Sequence, residues 1–198
     1  IYPDIKLVYW CGGNPFHHHQ DLNRLAKAWQ NPETVIVHEP WWTATAQRAD
    51  IVFPATTQFE RSDIGWAKGD PYLFYMPQMI PPVGLAKNDY DIFSELSKKL
   101  NCEEKFTENQ SSEEWIQNIY EKFYMQAKSQ GINVANLDTL KEKNFERMTI
   151  DLDEKDYVPF KAFRDDPVKN PLGTPSGKIE IYSEQIAKFN YPEIPGHP

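Results

Sequence analysis

Cysteine is almost missing from this chain: Cys11 and Cys102 are the two thiols in 198 residues. Two cysteines build no disulfide framework, and their spacing matches no zinc or iron–sulfur pattern. Each reads as a small buried hydrophobe, and the redox compartment is left open. Positive charge is also short, with a net charge of −8. A free nucleic-acid binder carries a basic stripe to neutralise phosphates, and none is present. The longest basic feature, Lys98–Lys99, reads as the last turn of a helix. No apolar run approaches the roughly 20 residues of a membrane-spanning helix. There is no G-x-G-x-x-G, no Walker loop, no repeat and no low-complexity tract. No nucleophile–base set or spaced carboxylate pair stands out as a catalytic centre. The chain opens at Ile1 without methionine and ends at Pro198 after a proline-rich tail. Both ends are expected to be cuts from a longer polypeptide.

What the chain does hold is a folded core and an alternating pattern. Hydrophobic residues make up 40% and aromatics 14% of the sequence, which excludes a disordered chain. Ile5–Trp10 is a short apolar run and reads as a strand. Cys11–Gln20 (CGGNPFHHHQ) is a loop punctuated by Gly-Gly and Asn-Pro. Leu22, Leu25, Ala26 and Trp29 fall on one helical face behind Asp21, which sits in the first turn. Thr34–His38 (TVIVH) is a β-branched strand, Thr43–Ala49 a short helix, and Asp50–Ala55 a buried strand ended by Pro54. Strands alternating with helices predict a parallel sheet. Residues 64–85 read as irregular. Asp89 is placed as the N-cap of a helix with an Ile92, Phe93, Leu96 and Leu100 stripe. Ser111 and Glu114 form a capping box for a second helix, which is expected to bury Trp115, Ile116, Ile119, Tyr120 and Phe123 and to stop at Gly131. Later, Lys178–Tyr182 reads as a strand and Ser183–Phe189 as a helix. The fold class is therefore α/β: a parallel-sheet, Rossmann-like dinucleotide-binding segment over residues 1–102. A helical and then proline-rich, loop-rich connecting region follows over 103–198.

Ligands of open parallel sheets bind beyond the carboxyl ends of the strands. Gly12 and Gly13 stand there after the first strand, where the missing Cβ lets a ligand approach the backbone. The following helix start offers free N–H groups to an anion. Asn14, His17, His18, His19 and Gln20 add side-chain donors. The bland reading is a tight turn and nothing more. Three adjacent histidines also raise a metal site, but neighbours in an extended loop point apart and nothing completes a coordination shell. His38–Glu39 ends the next strand, where a carboxylate suits a ribose hydroxyl. Trp41 and Trp42 beyond it read as packing. Arg61 follows the third strand; its fork suits a phosphate or a guanine acceptor, against a surface ion pair of little energetic weight. The Asp89 carboxylate suits the N1–H and 2-amino donors of guanine, or simply caps its helix, and Asp91 offers the same chemistry.

The blocks YWCGGNPFHHHQDLNRLAKAW, TVIVHEPWWTATAQRADIVFPATTQFERSDIG, NDYDIFSELSKKL and NPLGTPSGKIEIYS, in that order, resemble the dimethyl sulfoxide reductase family of molybdopterin oxidoreductases. Within it they look most like the group that reduces trimethylamine N-oxide, dimethyl sulfoxide and biotin sulfoxide. The resemblance covers nearly the whole chain and is weakest over about 103–160. It implies a molybdenum held by two molybdopterin guanine dinucleotides, with oxygen-atom transfer as the reaction, an S- or N-oxide as substrate and a cytochrome as electron donor. It implies that the metal-binding serine and the substrate funnel lie outside these residues, in the rest of the parent enzyme. The cofactor contacts it implies are Gly13, Asn14, His18, Gln20, His38, Glu39, Arg61 and Asp89. Glu39 departs from the family's commoner aspartate, and Phe53 from its leucine. The trimethylamine N-oxide and dimethyl sulfoxide reductases are exported to the periplasm, and the biotin sulfoxide type is cytoplasmic. Two other readings stay open on the residues alone: a non-catalytic nucleotide- or protein-binding α/β module, and an NAD enzyme, against which the missing G-x-G-x-x-G argues.

Overall fold

The structure is a computed structural model that describes residues 3–67, 70–148 and 158–191. The chain divides into two compact units, Ile1–Ile150 and Asp151–Pro198.

In the first unit, β1 (Leu7–Cys11), β2 (Thr34–His38) and β3 (Ile51–Phe53) form a three-stranded sheet in the order β1-β2-β3. Both pairings are parallel, with Cys11 opposite His38 and His38 opposite Phe53. The carboxyl ends of all three strands therefore lie at one edge of the sheet. Side chains alternate along a strand, so Tyr9, Ile36, His38 and Phe53 share one face, and Trp10, Val35 and Val37 the other. Val35 and Val37 are buried, and Trp10 meets Trp29 just beyond α2 (Leu22–Ala28), with ring centroids 5.7 Å apart. On the other face, Phe93 from α3 (Asp89–Lys99) lies 5.4 Å from the Tyr9 ring and 5.0 Å from the His38 ring.

The GGNP loop contains one helical turn, α1 (Pro15–His18), which the sequence does not announce beyond proline at N1. Asp21 caps α2 by accepting from the Arg24 N–H at 3.0 Å. Thr43–Ala49 supplies only a short 3₁₀ turn, Ala46–Arg48. β3 is less buried than its apolar run implies: Ile51 is 44% and Phe53 37% exposed. Cys11 is exposed as well, contrary to the buried role expected of it.

Residues 64–85, expected to be irregular throughout, contain strand at 64–65 and 72–76 and no regular element over 77–85. β4 (Asp63–Gly65) and β5 (Tyr72–Met76) pair antiparallel, and β6 (Phe145–Arg147) adds to β5. Behind this second sheet, Leu73, Ile116, Tyr120, Leu137 and Leu140 form a closed core. Its helices are α5 (Ser112–Ser129) and α6 (Leu137–Lys143), with α4 (Glu103–Thr107) leading in from α3. The Ser111–Glu114 capping box is present in both directions. Gly131, at φ +74°, ends α5: its N–H meets the Lys128 carbonyl, and the Ile132 N–H reaches back to Ala127. Of the face expected to be buried, Ile116 and Tyr120 are inside, whereas Ile119 is 51% exposed. Because β6 pairs with β5, residues 103–148 pack within the first compact unit.

In the second unit, α7 (Lys161–Asp165) and α8 (Glu184–Ala187) are separated by turns. The expected strand at Lys178–Tyr182 is absent. Local bonds hold that stretch in turns instead: the Thr174 hydroxyl donates to the Lys178 carbonyl, and the Ser176 N–H to Glu180. Alternating Ile179 and Ile181 find no partner strand among the described residues, and both are exposed.

Candidate cofactor-binding site

The edge formed by the three strand ends gathers most of the residues singled out by sequence. After β1 the backbone passes through Gly12 and Gly13 at φ +87° and +73°, conformations that L side chains rarely adopt. A Cβ added at either glycine would meet nothing within 4 Å. The strand end is thus open in front of both glycines, and the backbone there is free to receive a ligand. The Trp10 indole N–H donates to the Gly13 carbonyl at 3.2 Å and pins the turn.

Asn14 is held by Thr45, a fully buried residue whose hydroxyl donates to the Asn14 side-chain oxygen. The Phe16 N–H meets the same hydroxyl at 3.5 Å. Sequence reading gave Thr45 no role: a threonine inside TATA carries no signal that it supports a loop 31 residues away. His18 ends α1, and Gln20 follows it exposed. His19 Nδ1 accepts from the Asp21 N–H at 3.4 Å, and no cluster of three metal-binding side chains forms among the described residues.

At the end of β2, the Glu39 backbone is tied to β3, its N–H donating to the Phe53 carbonyl at 3.1 Å. Its carboxylate accepts from the Thr43 hydroxyl at 3.1 Å. Trp41 and Trp42, expected to be packed, are 68% and 74% exposed beside it.

Asp89 reaches the same edge from far along the chain. The Thr56 N–H donates to the Lys87 carbonyl at 3.0 Å and the Lys87 N–H to the Pro54 carbonyl at 3.1 Å, which lays the start of α3 beside the end of β3. Asp89 is not the N-cap: Asn88 takes that place, accepting from the Asp91 N–H at 2.8 Å. One residue inside the helix, the Asp89 carboxylate is free to turn away. It accepts from His38 Nδ1 at 2.7 Å while its side chain stays 58% exposed. His38 is at the opposite extreme, its side chain 1% exposed.

Arg61 and Asp89 line one cavity of about 520 Å³, together with Glu60, Asp63, Asp91 and Glu113. The Arg61 guanidinium pairs with Asp63. Hydrogen bonds from the Thr57 N–H, the Thr57 hydroxyl and the Val83 N–H hold the buried Glu60 carboxyl below its usual range. This cavity is acidic and rich in acceptors, so it suits a ligand that presents donors. The open glycine turn, with the Asn14 amide beside it, suits an anion. The two ends of the edge thus differ in chemistry, carboxylate acceptors at one and an open glycine backbone at the other.

The model of the molybdopterin oxidoreductase family matches residues 2–99. The whole chain aligns at 48% identity with a trimethylamine-N-oxide reductase of Haemophilus influenzae. This chain belongs to the molybdopterin oxidoreductase family. A dimethyl sulfoxide/trimethylamine N-oxide reductase of Rhodobacter capsulatus is 43% identical, and a biotin sulfoxide reductase of Cereibacter sphaeroides is also 43% identical, each over 100% of the chain. The chain spans only 24%, 24% and 26% of those three proteins. Among solved structures, the acetylene hydratase of Pelobacter acetylenicus superposes with a TM-score of 0.55 at 22% identity, over 98% of this chain and 24% of that one; this likeness concerns the fold alone. Family and fold accordingly agree with the expectation of a parallel-sheet α/β segment. Among the described residues no helix is long and apolar enough to cross a membrane.

Proposed function

We propose that this chain is the part of a molybdenum-dependent S-/N-oxide reductase that holds the guanosine end of a bis(molybdopterin guanine dinucleotide) cofactor. The observation that carries the reading is the edge itself, an open glycine turn for the phosphates and an acidic cavity with one arginine for the base. Gly13 and Asn14, with His18 and Gln20 on the same loop, would face the diphosphate. Glu39 would take a ribose hydroxyl, and Arg61 and Asp89 the guanine edge. His38 stands behind Asp89. When bound, the molybdenum centre of such a cofactor supplies the two-electron reduction of an oxide to a sulfide or amine and water. The protein's share in this chain is to bind and orient the nucleotide tail. The substrate is a small S- or N-oxide, electrons come from a cytochrome, and the enzyme works in the periplasm; the names of the relatives support the first of these.

The test uses the full-length enzyme carrying Asp89→Ala or Arg61→Ala, with guanosine monophosphate and molybdenum released by acid and counted per protein. Loss of a charge-assisted hydrogen bond to the base weakens retention by about tenfold or more. Guanosine content at the wild-type level in both variants would return Arg61 to its ion pair with Asp63 and refute the assignment of the base to this cavity.

A further inference from the structure

His38 carries an arrangement that a simple ligand contact does not need. The side chain is 1% exposed, so little of it is available to a nucleotide. Both ring nitrogens are engaged with side chains distant in sequence. Nδ1 lies 2.7 Å from Asp89 Oδ1, and Nε2 lies 2.8 Å from the Tyr9 hydroxyl. The ring is fixed in plane as well as at its poles: Phe93 lies tilted against it at 5.0 Å, and Phe53 meets it edge-on at 5.7 Å.

The direction of these bonds follows from the partners. A carboxylate has only acceptors, so Nδ1 carries the proton it shares with Asp89. In the neutral ring Nε2 is then an acceptor, and the Tyr9 O–H donates to it. Burial, and next the charges of Cys11 and Asp89, push the Tyr9 phenol above its ordinary value, so Tyr9 remains a donor at neutral pH. A relay Tyr9–His38–Asp89 results, with one member on each of β1, β2 and α3. It ends on a carboxylate whose side chain is 58% exposed and opens on the acidic cavity.

We infer that Tyr9 and His38 are positioning residues that fix the Asp89 carboxylate for a ligand presenting paired N–H donors, the Watson–Crick edge of guanine. This rests on the proposed placement of guanosine and deepens it. An aspartate in the first turn of a helix swings between solvent and its own backbone N–H groups. Here one oxygen is anchored at a buried imidazole, so the carboxylate plane is set before the ligand arrives. Ordering a side chain in advance removes that entropy from binding.

The experiment uses the full-length enzyme and counts released guanosine monophosphate per protein, with thermal unfolding recorded beside it. His38→Phe keeps an aromatic ring between Phe53 and Phe93 but removes both hydrogen bonds. Guanosine content is expected to fall roughly tenfold in binding terms. His38→Asn places an amide N–H where Nδ1–H stands and is expected to recover most of that loss. Tyr9→Phe, which deletes one hydroxyl and leaves the packing, is expected to give a smaller fall, about two- to threefold. Wild-type content in His38→Phe, or no recovery in His38→Asn, overturns the positioning role. Should His38→Phe not fold, Tyr9→Phe decides, and undiminished content there overturns the relay. Asp89→Ala, read beside Arg61→Ala, separates the two levels: if both leave guanosine content unchanged, the assignment of guanosine to this cavity itself fails. If Asp89→Ala lowers the content while His38→Phe does not, only the present inference fails.

Discussion

The two sheets of the first unit treat apolar surface in opposite ways. Around β4, β5 and β6, Leu73, Tyr120, Leu137 and Leu140 close on one another at 4% exposure or less. Around β1, β2 and β3, Val35 and Val37 are buried on one face and His38 on the other. Leu7, Ile51 and Phe53 stay exposed, and an apolar groove of about 670 Å³ runs between Tyr9, Ile36 and Phe53 on one side and Ile92 and Leu96 on the other. A parallel sheet is normally covered on both faces. The antiparallel half encloses a core behind one face, with Tyr72, Phe74 and Phe145 exposed on the other, and the parallel half leaves its strand ends open for the binding proposed above. The difference teaches where a substitution will be felt. Changes in the closed core should alter stability, and changes at the strand ends should alter ligand content.

Leu140→Ala is the most severe test of the first clause. Leu140 is fully buried, and truncating such a leucine costs about 2–5 kcal/mol through lost burial and a residual cavity. Chemical denaturation followed by tryptophan fluorescence measures it. A loss below about 1 kcal/mol would mean that the core is not closed.

Tyr120→Phe comes next. Its hydroxyl donates to the Ala135 carbonyl at 2.8 Å, and losing that half-buried hydrogen bond costs roughly 1–1.5 kcal/mol. The residue also predicts a pH dependence. Burial, then the charges of Glu146 and Tyr124, push the phenol up to about 12 from 10.0. A folded pKa above the unfolded one gives stability that is full below pH 10 and is lost as pH rises towards 12. Tyr120→Phe should flatten the alkaline side of a stability–pH curve; an unchanged alkaline slope would show that the phenol titrates freely.

Ser111→Ala should cost about 1 kcal/mol through loss of the α5 cap. Hydrogen bonds from the Ser111 N–H and then its hydroxyl hold the Glu114 carboxyl below its usual range. A depressed folded pKa gives stability that is present above the unfolded value and lost as pH falls through the folded one. The difference between wild type and Ser111→Ala, followed by circular dichroism, should therefore shrink on the acid side and not the alkaline side.

What the sequence makes legible follows the same division by range. The Ser111–Glu114 box, the Gly131 stop, the β-branched strand Thr34–His38 and the glycine turn after β1 are signals within a few residues of the structure they produce. The pairing of β4 with β5 and β6 is not local. Leu73 and Tyr75 alternate as a strand should, but the partner of Leu73 is Glu146, and no window along the chain contains both. The same holds for His38 and Asp89, 51 residues apart: each was visible as a candidate, but their bond and the Tyr9 hydroxyl behind it were not. Asn88 and Asp89 are both competent caps, and the choice depends on which side-chain oxygen meets a free N–H of the first turn; here Asn88 Oδ1 accepts from the Asp91 N–H. Lys178–Tyr182 is the reverse failure, a correct period-2 pattern without a strand to pair with among the described residues.

Gly13→Ala has the smallest effect on stability and sharpens the comparison most. At φ +73° an alanine is strained by about 1–2 kcal/mol, partly offset by the smaller freedom of the unfolded chain. No clash adds to this, because nothing lies within 4 Å of the new Cβ. The net loss is roughly 0.5–1 kcal/mol, less than for any change above. The methyl group nevertheless stands where the open strand end would receive the phosphates. Guanosine and molybdenum content of the full-length enzyme should therefore fall severalfold while the unfolding midpoint barely shifts. Leu140→Ala provides the opposite corner, a large loss of stability with cofactor retained in the molecules that fold. If Gly13→Ala keeps its full cofactor content, the glycine turn is only a turn, and the binding role of this edge rests on the Asp89 cavity alone.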